Sequence, residues 1–243
     1  MISILIPVRN EEMCIRPITH EIIPVMNSVN LLFEIIFIND HSTDTTLSIA
    51  EKTAKEHPEV KVLSLVGENG KDAALLRGMH EAKGDILVTM DGDLQNDPSD
   101  IPRLLPMLEK YDMVCGVRRR RVDPVLKKAV SCIANRFRKS VAGGSISDAG
   151  CALRCMKRNC IASIERYNSV LFESAHYFYP DLVERHGGRV AEVTVKHRPR
   201  RYGKTKFNLI AGRVILGIRA CLAVRRIGTE VSPRSDLSSE AHN

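Results

Sequence analysis

The chain has 243 residues, of which 44% are hydrophobic and 5% aromatic, and it carries a formal net charge of +7 with a pI near 9.1. These values allow one large domain or two small ones, and the positive charge favours an anionic partner such as a phosphorylated substrate or a membrane surface. Its seven scattered cysteines cannot all pair with one another and include no CxxC pair, which argues against a zinc site and favours a reducing, cytoplasmic location.

Strand-like and helix-like segments alternate through the first half of the chain. The short apolar run at residues 2–7 predicts a first strand rather than a signal peptide, because no basic region precedes it and charges follow at once. A helix is expected from Glu11 towards Val29, and Ser42 or Thr43 is expected to cap the next one. Strands alternating with helices predict a mostly parallel α/β sheet. The other predicted strands are residues 33–38, 59–66, 85–90, 112–117 and 189–197, and the other predicted helices are residues 42–57, 71–84 and 99–111.

Polar clusters follow the predicted strands at their carboxyl ends. They comprise residues 9–12, 39–44, 69–72 and 91–97. Ligands of such sheets bind beyond the carboxyl ends of the strands, so these clusters should line one crevice. Neither a GxGxxG nor a GxxxxGK[ST] pattern follows a strand, which leaves a dinucleotide fingerprint and a P-loop without support.

The segment GDILVTMDGDLQNDP carries three aspartates just after an apolar run. Asp91, Asp93 and Asp97 would repel one another and raise each other's pKa unless a positive charge lay nearby. A hard divalent cation with oxygen ligands would supply that charge. The alternative is a polar turn in which Asp97 or Ser99 caps the following helix. We call residues 91–97 the acidic turn.

The second half of the chain is strongly basic. Residues 118–139 and 189–226 each contain a single acidic residue, Asp123 and Glu192 respectively. Residues 198–206, which we call the basic loop, have Gly203 as a predicted hinge. Few aromatic residues accompany these stretches, which argues against a nucleic-acid partner. Residues 207–224 predict an amphipathic helix interrupted by arginines at 213 and 219, and the polar residues 228–243 predict a disordered tail.

Seven segments stand in order over residues 1–226: IPVRNEE, EIIFINDHSTDTT, GKDAALLRGMHEAKGD, MDGDLQNDP, GVRRRRVD, SDAGCALRCMKR and VKHRPRRYGKTKF. Together they resemble glycosyltransferase family 2, with its GT-A fold, and in particular the dolichyl- and polyprenyl-phosphate sugar synthases, in which such segments occur in the same order. Two differences are conservative, because Asn39 stands where the family usually has Asp and Thr205 where it often has Ser. Among residues 207–243 we expect no counterpart of the transmembrane helices that follow the catalytic domain in many relatives.

The resemblance implies a Rossmann-like, mostly parallel sheet flanked by helices, with a GT-A catalytic domain at residues 1–206, a membrane-surface helix at 207–227 and a tail at 228–243. It also implies an inverting, metal-dependent transfer of a sugar from a UDP- or GDP-linked donor to a polyprenyl phosphate, at the inner face of a membrane. A family-2 transferase acting on a saccharide or other soluble acceptor is an alternative. Another is a non-catalytic nucleotide-sugar-binding subunit. A homo-oligomer and a separate membrane-protein partner both stay open.

Site roles also follow from the resemblance. Asp91 and Asp93 would hold Mg²⁺ or Mn²⁺. The expected catalytic residues are Asp93, Asp148 and Arg200; the expected donor-binding residues are Pro7, Arg9, Glu12, Asp40, Lys71, Asp91, Arg198, Lys204 and Lys206; and the expected acceptor-binding residues are Gln95, Arg118 and Arg121.

Several of these residues have simpler interpretations. Glu12 could be an exposed carboxylate in the first turn of a helix, and Lys71 a solvated lysine. Asp148 could act as a base or could instead orient the sugar or Arg154. His176 stands at a position that fits the family's pattern, but a histidine that simply packs within a helix would produce the same pattern.

Overall fold

The computed structural model describes residues 1–67, 69–118, 135–141 and 143–202, with the backbone alone described for 167–174. These residues form a seven-stranded sheet in the order β3-β2-β1-β4-β6-β5-β7. Strand β6 is antiparallel to its neighbours β4 and β5, and the other pairings are parallel. The strands are β1 (Ile2–Val8), β2 (Phe33–Asn39), β3 (Val60–Ser64), β4 (Ile86–Thr89), β5 (Met113–Val117), β6 (Arg154–Lys157) and β7 (Val190–Thr194). The predicted mostly parallel α/β sheet is therefore confirmed.

Helices cover both faces of the sheet. Three 3₁₀ segments, Pro98–Asp100, Leu105–Glu109 and Phe172–Tyr177, adjoin them. The helices are α1 (Ile15–Val29), α2 (Thr46–Glu56), α3 (Lys71–Glu81), α4 (Ile101–Leu104), α5 (residues 135–141), α6 (Cys160–Leu171) and α7 (Tyr179–Arg185).

Alternation along β1 divides the core into two layers. Ile4 and Ile6 pack with α1 on one face, where Ile18 and Ile22 are buried. Leu5 points to the other face and packs with the cluster that contains residues of α3 and α7. Each such buried aliphatic side chain contributes roughly 1.5–3 kcal/mol to the free energy of unfolding, so the sheet is a rigid base for the loops at its edge.

Two helices begin later than predicted, because polar residues expected within them or as their caps bind neighbouring loops instead. Helix α1 starts at Ile15, whereas the backbone N–H of Glu11 donates to Thr46 Oγ1 at 2.8 Å. Helix α2 starts at Thr46 with Thr45 in the N-cap position. The backbone N–H of Thr43 donates to Asn10 Oδ1 at 2.7 Å. These contacts join the loops that follow β1 and β2.

Prolines break the single helix that was predicted over residues 99–111. Pro98, Pro102 and Pro106 lack backbone donors, and the segment forms two 3₁₀ turns with one short α-helical turn between them. Helix α3 ends at Glu81 rather than at Gly84. Gly84 lies against β1, where a Cβ atom would be 2.7 Å from the backbone nitrogen of Ser3.

The prediction also missed β6 and the helices between residues 135 and 185. The predicted third and last strands are shorter than expected, at Val60–Ser64 and Val190–Thr194. Within the described residues, no helix is long and apolar enough to cross a membrane. The predicted amphipathic helix at 207–224, the tail at 228–243 and the boundaries at 206 and 227 lie outside the described residues.

Candidate functional site

Loops from the carboxyl ends of β1, β2 and β4 meet at one edge of the sheet. Each contains a non-glycine residue in the left-handed conformation: Asn10 (φ 51°), His41 (φ 52°) and Leu94 (φ 63°). This conformation is uncommon for a residue with a Cβ atom and costs about 1–3 kcal/mol where it is sparsely populated. Leu94 is 2% exposed, so its burial helps to stabilise the shape of the acidic turn.

The acidic turn is pressed onto β1 and closed by its own hydrogen bonds. A Cβ atom on Gly92 would lie 2.8 Å from Val8 Cγ1, so only glycine fits between the two aspartates without displacement. The backbone N–H of Asp91 donates to Asn96 Oδ1 at 3.0 Å, and that of Gln95 donates to Asp93 Oδ1 at 3.1 Å. The turn therefore holds the two carboxylates in a defined arrangement.

Each of these carboxylates contacts a basic side chain. Lys71 Nζ, in the first turn of α3, lies 2.5 Å from Asp91 Oδ1. Arg200 Nη2, from the basic loop, lies 2.8 Å from Asp93 Oδ2. Burial alone would raise the pKa of Asp91, but the charge and hydrogen bond of Lys71 outweigh it and lower that pKa. Burial and the charge of Asp91 raise the pKa of Asp93, and Arg200 offsets only part of that effect.

The donor set of the acidic turn fits a divalent cation shared with a ligand. Asp91 and Asp93 offer four carboxylate oxygens, and within the described residues no group of three or more His, Cys, Asp or Glu side chains forms a fuller cage. Mg²⁺ is typically bound through one or two carboxylates together with substrate phosphates and water. A pair of carboxylates surrounded by basic side chains is suited to that arrangement.

The basic loop pairs with the acidic turn along the backbone. The backbone N–H of Arg198 donates to Gln95 O at 3.0 Å, Gln95 Nε2 donates back to Arg198 O at 3.3 Å, and Asn96 forms an antiparallel bridge with His197. Arg198 Nη2 also lies 2.8 Å from Asp97 Oδ1. Arg198 and Gln95, which were expected on the donor and acceptor sides, are thus neighbours.

Asp97 has the capping role considered for it and also forms an ion pair that was not predicted. Its Oδ1 caps the Pro98–Asp100 turn by accepting from the backbone N–H of Ser99 at 3.0 Å, and it pairs with Arg198. Burial alone would raise the pKa of Asp97, but the Ser99 hydrogen bonds and the Arg198 charge lower it to about 2.

A second cluster lies at the loops after β1 and β2. Asp40 Oδ2 is 3.6 Å from Arg9 Nη1, and its Oδ1 accepts from the backbone N–H of Gly70 at 3.1 Å. Glu12 accepts from the backbone N–H of Thr45 at 3.1 Å and from its hydroxyl, so it lies before α1 and is not a first-turn carboxylate. Pro7 is the penultimate residue of β1. The side chain of Arg9 is half exposed and accessible to a ligand.

A third cluster follows β5. Arg118 Nε and Nη2 donate to the two carboxylate oxygens of Asp148, each at 2.8 Å, and the backbone N–H of Arg118 donates to Asp148 Oδ2 at 3.1 Å. The pair raises the pKa of Arg118 despite its burial. Asp148 therefore orients Arg118, whereas Arg154, the partner considered for it from the sequence, binds backbone carbonyls.

Two site residues were not predicted from the sequence, and the role of a third was left undecided. Glu11 Oε1 lies 3.5 Å from Arg200 Nη1, and Asn96 closes the acidic turn. Both stand inside segments already singled out, so only their spatial pairing was beyond prediction. His176 packs at the start of α3, where its Nδ1 is 2.9 Å from Asp72 Oδ1. Arg121, Lys204 and Lys206 lie outside the described residues.

Comparisons with known proteins give consistent matches. A family model described as glycosyl transferase family 2 matches residues 3–164. The chain is 32% identical over 232 residues to a dodecaprenyl-phosphate galacturonate synthase of Rhizobium johnstonii, covering 93% of this chain and 67% of that protein. It is 31% identical over 212 residues to an undecaprenyl-phosphate 4-deoxy-4-formamido-L-arabinose transferase of Yersinia enterocolitica, covering 86% of this chain and 63% of that protein. The chain thus spans about two thirds of the length of these relatives.

A solved structure shares the fold. Glucosyl-3-phosphoglycerate synthase of Mycobacterium tuberculosis, in complex with Mn²⁺, uridine diphosphate and phosphoglyceric acid, matches with a TM-score of 0.70 at 20% identity, over 95% of this chain and 79% of that one.

Proposed function

Because the chain belongs to glycosyl transferase family 2, we propose that it moves one sugar from a nucleotide-sugar donor to a polyprenyl phosphate, with inversion at the anomeric carbon. The observation that carries this proposal is the pairing of Asp91 with Lys71 and of Asp93 with Arg200 at the carboxyl edge of the sheet. Alternating carboxylates and cations suit a diphosphate that arrives with its own divalent cation. The relatives named for dodecaprenyl- and undecaprenyl-phosphate substrates support the acceptor class.

The donor side follows from the charges. Asp91 and Asp93 would hold Mg²⁺ or Mn²⁺, which when bound neutralises charge developing on the leaving diphosphate. Lys71 at a helix N-terminus is placed to bind phosphate oxygens. Asp40 and Arg9, with Glu12 and Pro7 beside them, would hold the nucleoside. That the donor nucleotide is UDP or GDP stays an expectation from the resemblance.

The basic loop would complete the donor site. Arg198 and Arg200 reach the acidic turn in this structure. Gly203, the hinge predicted from the sequence, lies outside the described residues. A loop that closed there over the diphosphate would exclude water. Lys204 and Lys206 would add charge there. Arg200 counts as catalytic in this proposal because it would stabilise the leaving group in the transition state.

The acceptor side needs little proton transfer. A phosphate monoester has a second pKa near 6 and is largely ionised at neutral pH, so it can attack without a general base. Arg118, held by Asp148, would bind the acceptor phosphate together with Gln95 and Arg121. Asp148 would then act by orienting Arg118 rather than by removing a proton.

The lipid acceptor also determines where the protein works. A polyprenyl phosphate presents its head group at a bilayer surface, so we propose peripheral attachment to the cytoplasmic face through the amphipathic helix predicted at 207–224. A homo-oligomer or a separate membrane-protein partner would be compatible with this arrangement.

A donor–acceptor matrix tests the proposal. Purified protein with Mn²⁺ would be given UDP- and GDP-sugars, each with undecaprenyl phosphate, dolichyl phosphate or a soluble saccharide. We expect transfer to a polyprenyl phosphate that stops with excess EDTA. Transfer only to the saccharide would favour a soluble acceptor, and binding of a nucleotide sugar without any transfer would favour a non-catalytic subunit.

A further inference from the structure

Arg154 occupies an unusual place for a charged residue. It opens β6, where it lies opposite Thr89 of β4 and Cys115 of β5. It is 3% exposed. Because β6 runs against its neighbours, its first residue lies at the same edge of the sheet as the acidic turn, which begins two residues after Thr89.

The guanidinium of Arg154 binds three backbone carbonyls. Nε donates to Cys151 O at 3.1 Å, Nη2 donates to Ala149 O at 2.6 Å, and Nη1 donates to His176 O. Among the described residues, no carboxylate lies within ion-pair distance of it. Buried charges are normally paired with an opposite charge, so the three backbone carbonyls are the groups that compensate this one.

The segments it joins belong to different parts of the site. Ala149 follows Asp148 directly and Cys151 lies three residues after it, and Asp148 orients Arg118. His176 belongs to the 3₁₀ segment Phe172–Tyr177, and its backbone N–H and Nδ1 both contact Asp72 of α3. Thr89 adds a further restraint, because its hydroxyl donates to Ala152 O at 2.7 Å.

We propose that Arg154 is a positioning residue for the acceptor side of the reaction: its three hydrogen bonds fix residues 148–152 against the His176 segment and so hold the Asp148–Arg118 pair in place. This inference rests on the proposed function, since Arg118 is placed there at the acceptor phosphate. The donor side keeps its own hydrogen bonds, such as that of Lys71 with Asp91, and Arg154 donates to none of the described residues proposed to bind the donor.

Arg158 provides a matched control. It follows β6 at the opposite end of the strand, and its guanidinium likewise binds backbone carbonyls, donating to Gly84 O at 2.9 and 2.7 Å and to Ala82 O. Arg158→Gln therefore removes guanidinium–carbonyl hydrogen bonds of the same kind beside the same strand, at the sheet edge away from the site. We expect it to lower Tm while leaving both substrates' kinetic constants within twofold.

The test compares Arg154→Gln with this control in the full-length protein. We expect the KM for undecaprenyl or dolichyl phosphate, whichever wild type uses, to rise about tenfold or more, since small misplacements of binding groups are costly. Affinity for UDP or GDP with Mn²⁺, measured by calorimetry without turnover, should stay within twofold of wild type. Arg154→Lys, which keeps the charge but has fewer donors in a different geometry, should give an intermediate acceptor KM.

The outcomes separate the two proposals. Wild-type protein that transfers nothing to a polyprenyl phosphate would overturn the proposed function. Normal wild-type transfer with an unchanged acceptor KM in Arg154→Gln, or a parallel loss of nucleotide and acceptor affinity, would overturn the role of Arg154 alone. If Arg154→Gln does not fold, Arg154→Lys decides by the same two measurements, and wild-type values in that variant would overturn the inference.

Discussion

Arg200 and Asp93 form an ion pair that links the basic loop to the acidic turn, with Nη2 2.8 Å from Oδ2. A second contact, 3.5 Å long, joins the same guanidinium to Glu11. The carboxylate proposed to bind the metal ion is therefore engaged by the residue proposed to bind the diphosphate. In the proposed mechanism, Arg200 would exchange Asp93 for the diphosphate when donor and metal bind.

This exchange predicts opposite effects of Arg200→Ala on two measurements. Loss of one charge-assisted contact to the diphosphate costs on the order of 1.5–3 kcal/mol, so kcat/KM should fall about tenfold to hundredfold. Mn²⁺ affinity without nucleotide should instead increase, because Asp93 no longer has a competing cation. Titration calorimetry and initial rates measure the two effects.

Arg201→Ala is the control, because Arg201 is an exposed basic neighbour in the same loop. It should change each quantity by less than twofold. Equal small effects of the two substitutions on kcat/KM would mean that the basic loop is ordinary surface.

The second prediction concerns Asp93 itself. Asp93→Asn keeps the size of the side chain and removes its charge, so Mn²⁺ binding should weaken strongly and transfer should fall about a hundredfold or more. The thermal midpoint should stay close to that of wild type, because the residue lies in a turn and not in the core. Asp85→Asn, at a highly exposed carboxylate, is the control and should retain wild-type rates. Full activity of Asp93→Asn, or of wild type in excess EDTA, would rule out the metal mechanism.

Asp97 gives a prediction about stability and pH. Its pKa is lowered to about 2 from the ordinary value of 3.8, so the stability it contributes is present above pH 4 and is lost as the pH falls towards 2. Asp97→Asn should reduce the free energy of unfolding by roughly 2 kcal/mol at pH 7. Urea titrations at pH 7 and pH 2.5 should show the difference shrinking at the lower pH. A difference that is the same at both values would refute the linkage.

Local patterns predicted six of the seven described strands and the acidic turn, and the GT-A fold is confirmed. Apolar runs such as residues 2–7 and 85–90 end in polar clusters, which locates both the sheet and the edge that carries the site. The predicted helix starts were wrong where residues form long-range hydrogen bonds, as between Thr45 and Glu12, which are 33 residues apart in the sequence. Such bonds depend on the packing of loops and leave no periodic signal.

Strand β6 was missed for a related reason. Arg154–Lys157 has only four residues, with charges at both ends and no alternation, and its strand conformation depends on pairing with β4 and β5. The pairing of Asp148 with Arg118 likewise depends on tertiary structure, so the sequence could nominate both residues but could not join them.

The final prediction is that the protein binds membranes without spanning them. On a helix from residue 207, Arg213 and Arg219 fall outside one apolar arc, and Arg225 interrupts the arc only in the final turn. The arc comprises Ile210, Val214, Ile215, Ile218, Cys221 and Leu222. A spanning helix needs about 20 mostly apolar residues, whereas an interfacial helix tolerates such arginines and is attracted by anionic lipids. Wild type should float with anionic liposomes, and high salt should weaken that binding.

Substitution within the apolar arc separates membrane binding from a packing role. Ile218→Glu places a charge on the predicted apolar arc and should abolish flotation. Arg219→Gln should weaken flotation only partly, because loss of one cation near the surface costs about 1 kcal/mol. If the arc instead packs on the domain or a second subunit, Ile218→Glu should lower Tm or alter the oligomeric state while wild type stays unbound to liposomes. Wild type that stays unbound and efficiently glycosylates a soluble saccharide would contradict both the membrane claim and the polyprenyl-phosphate claim.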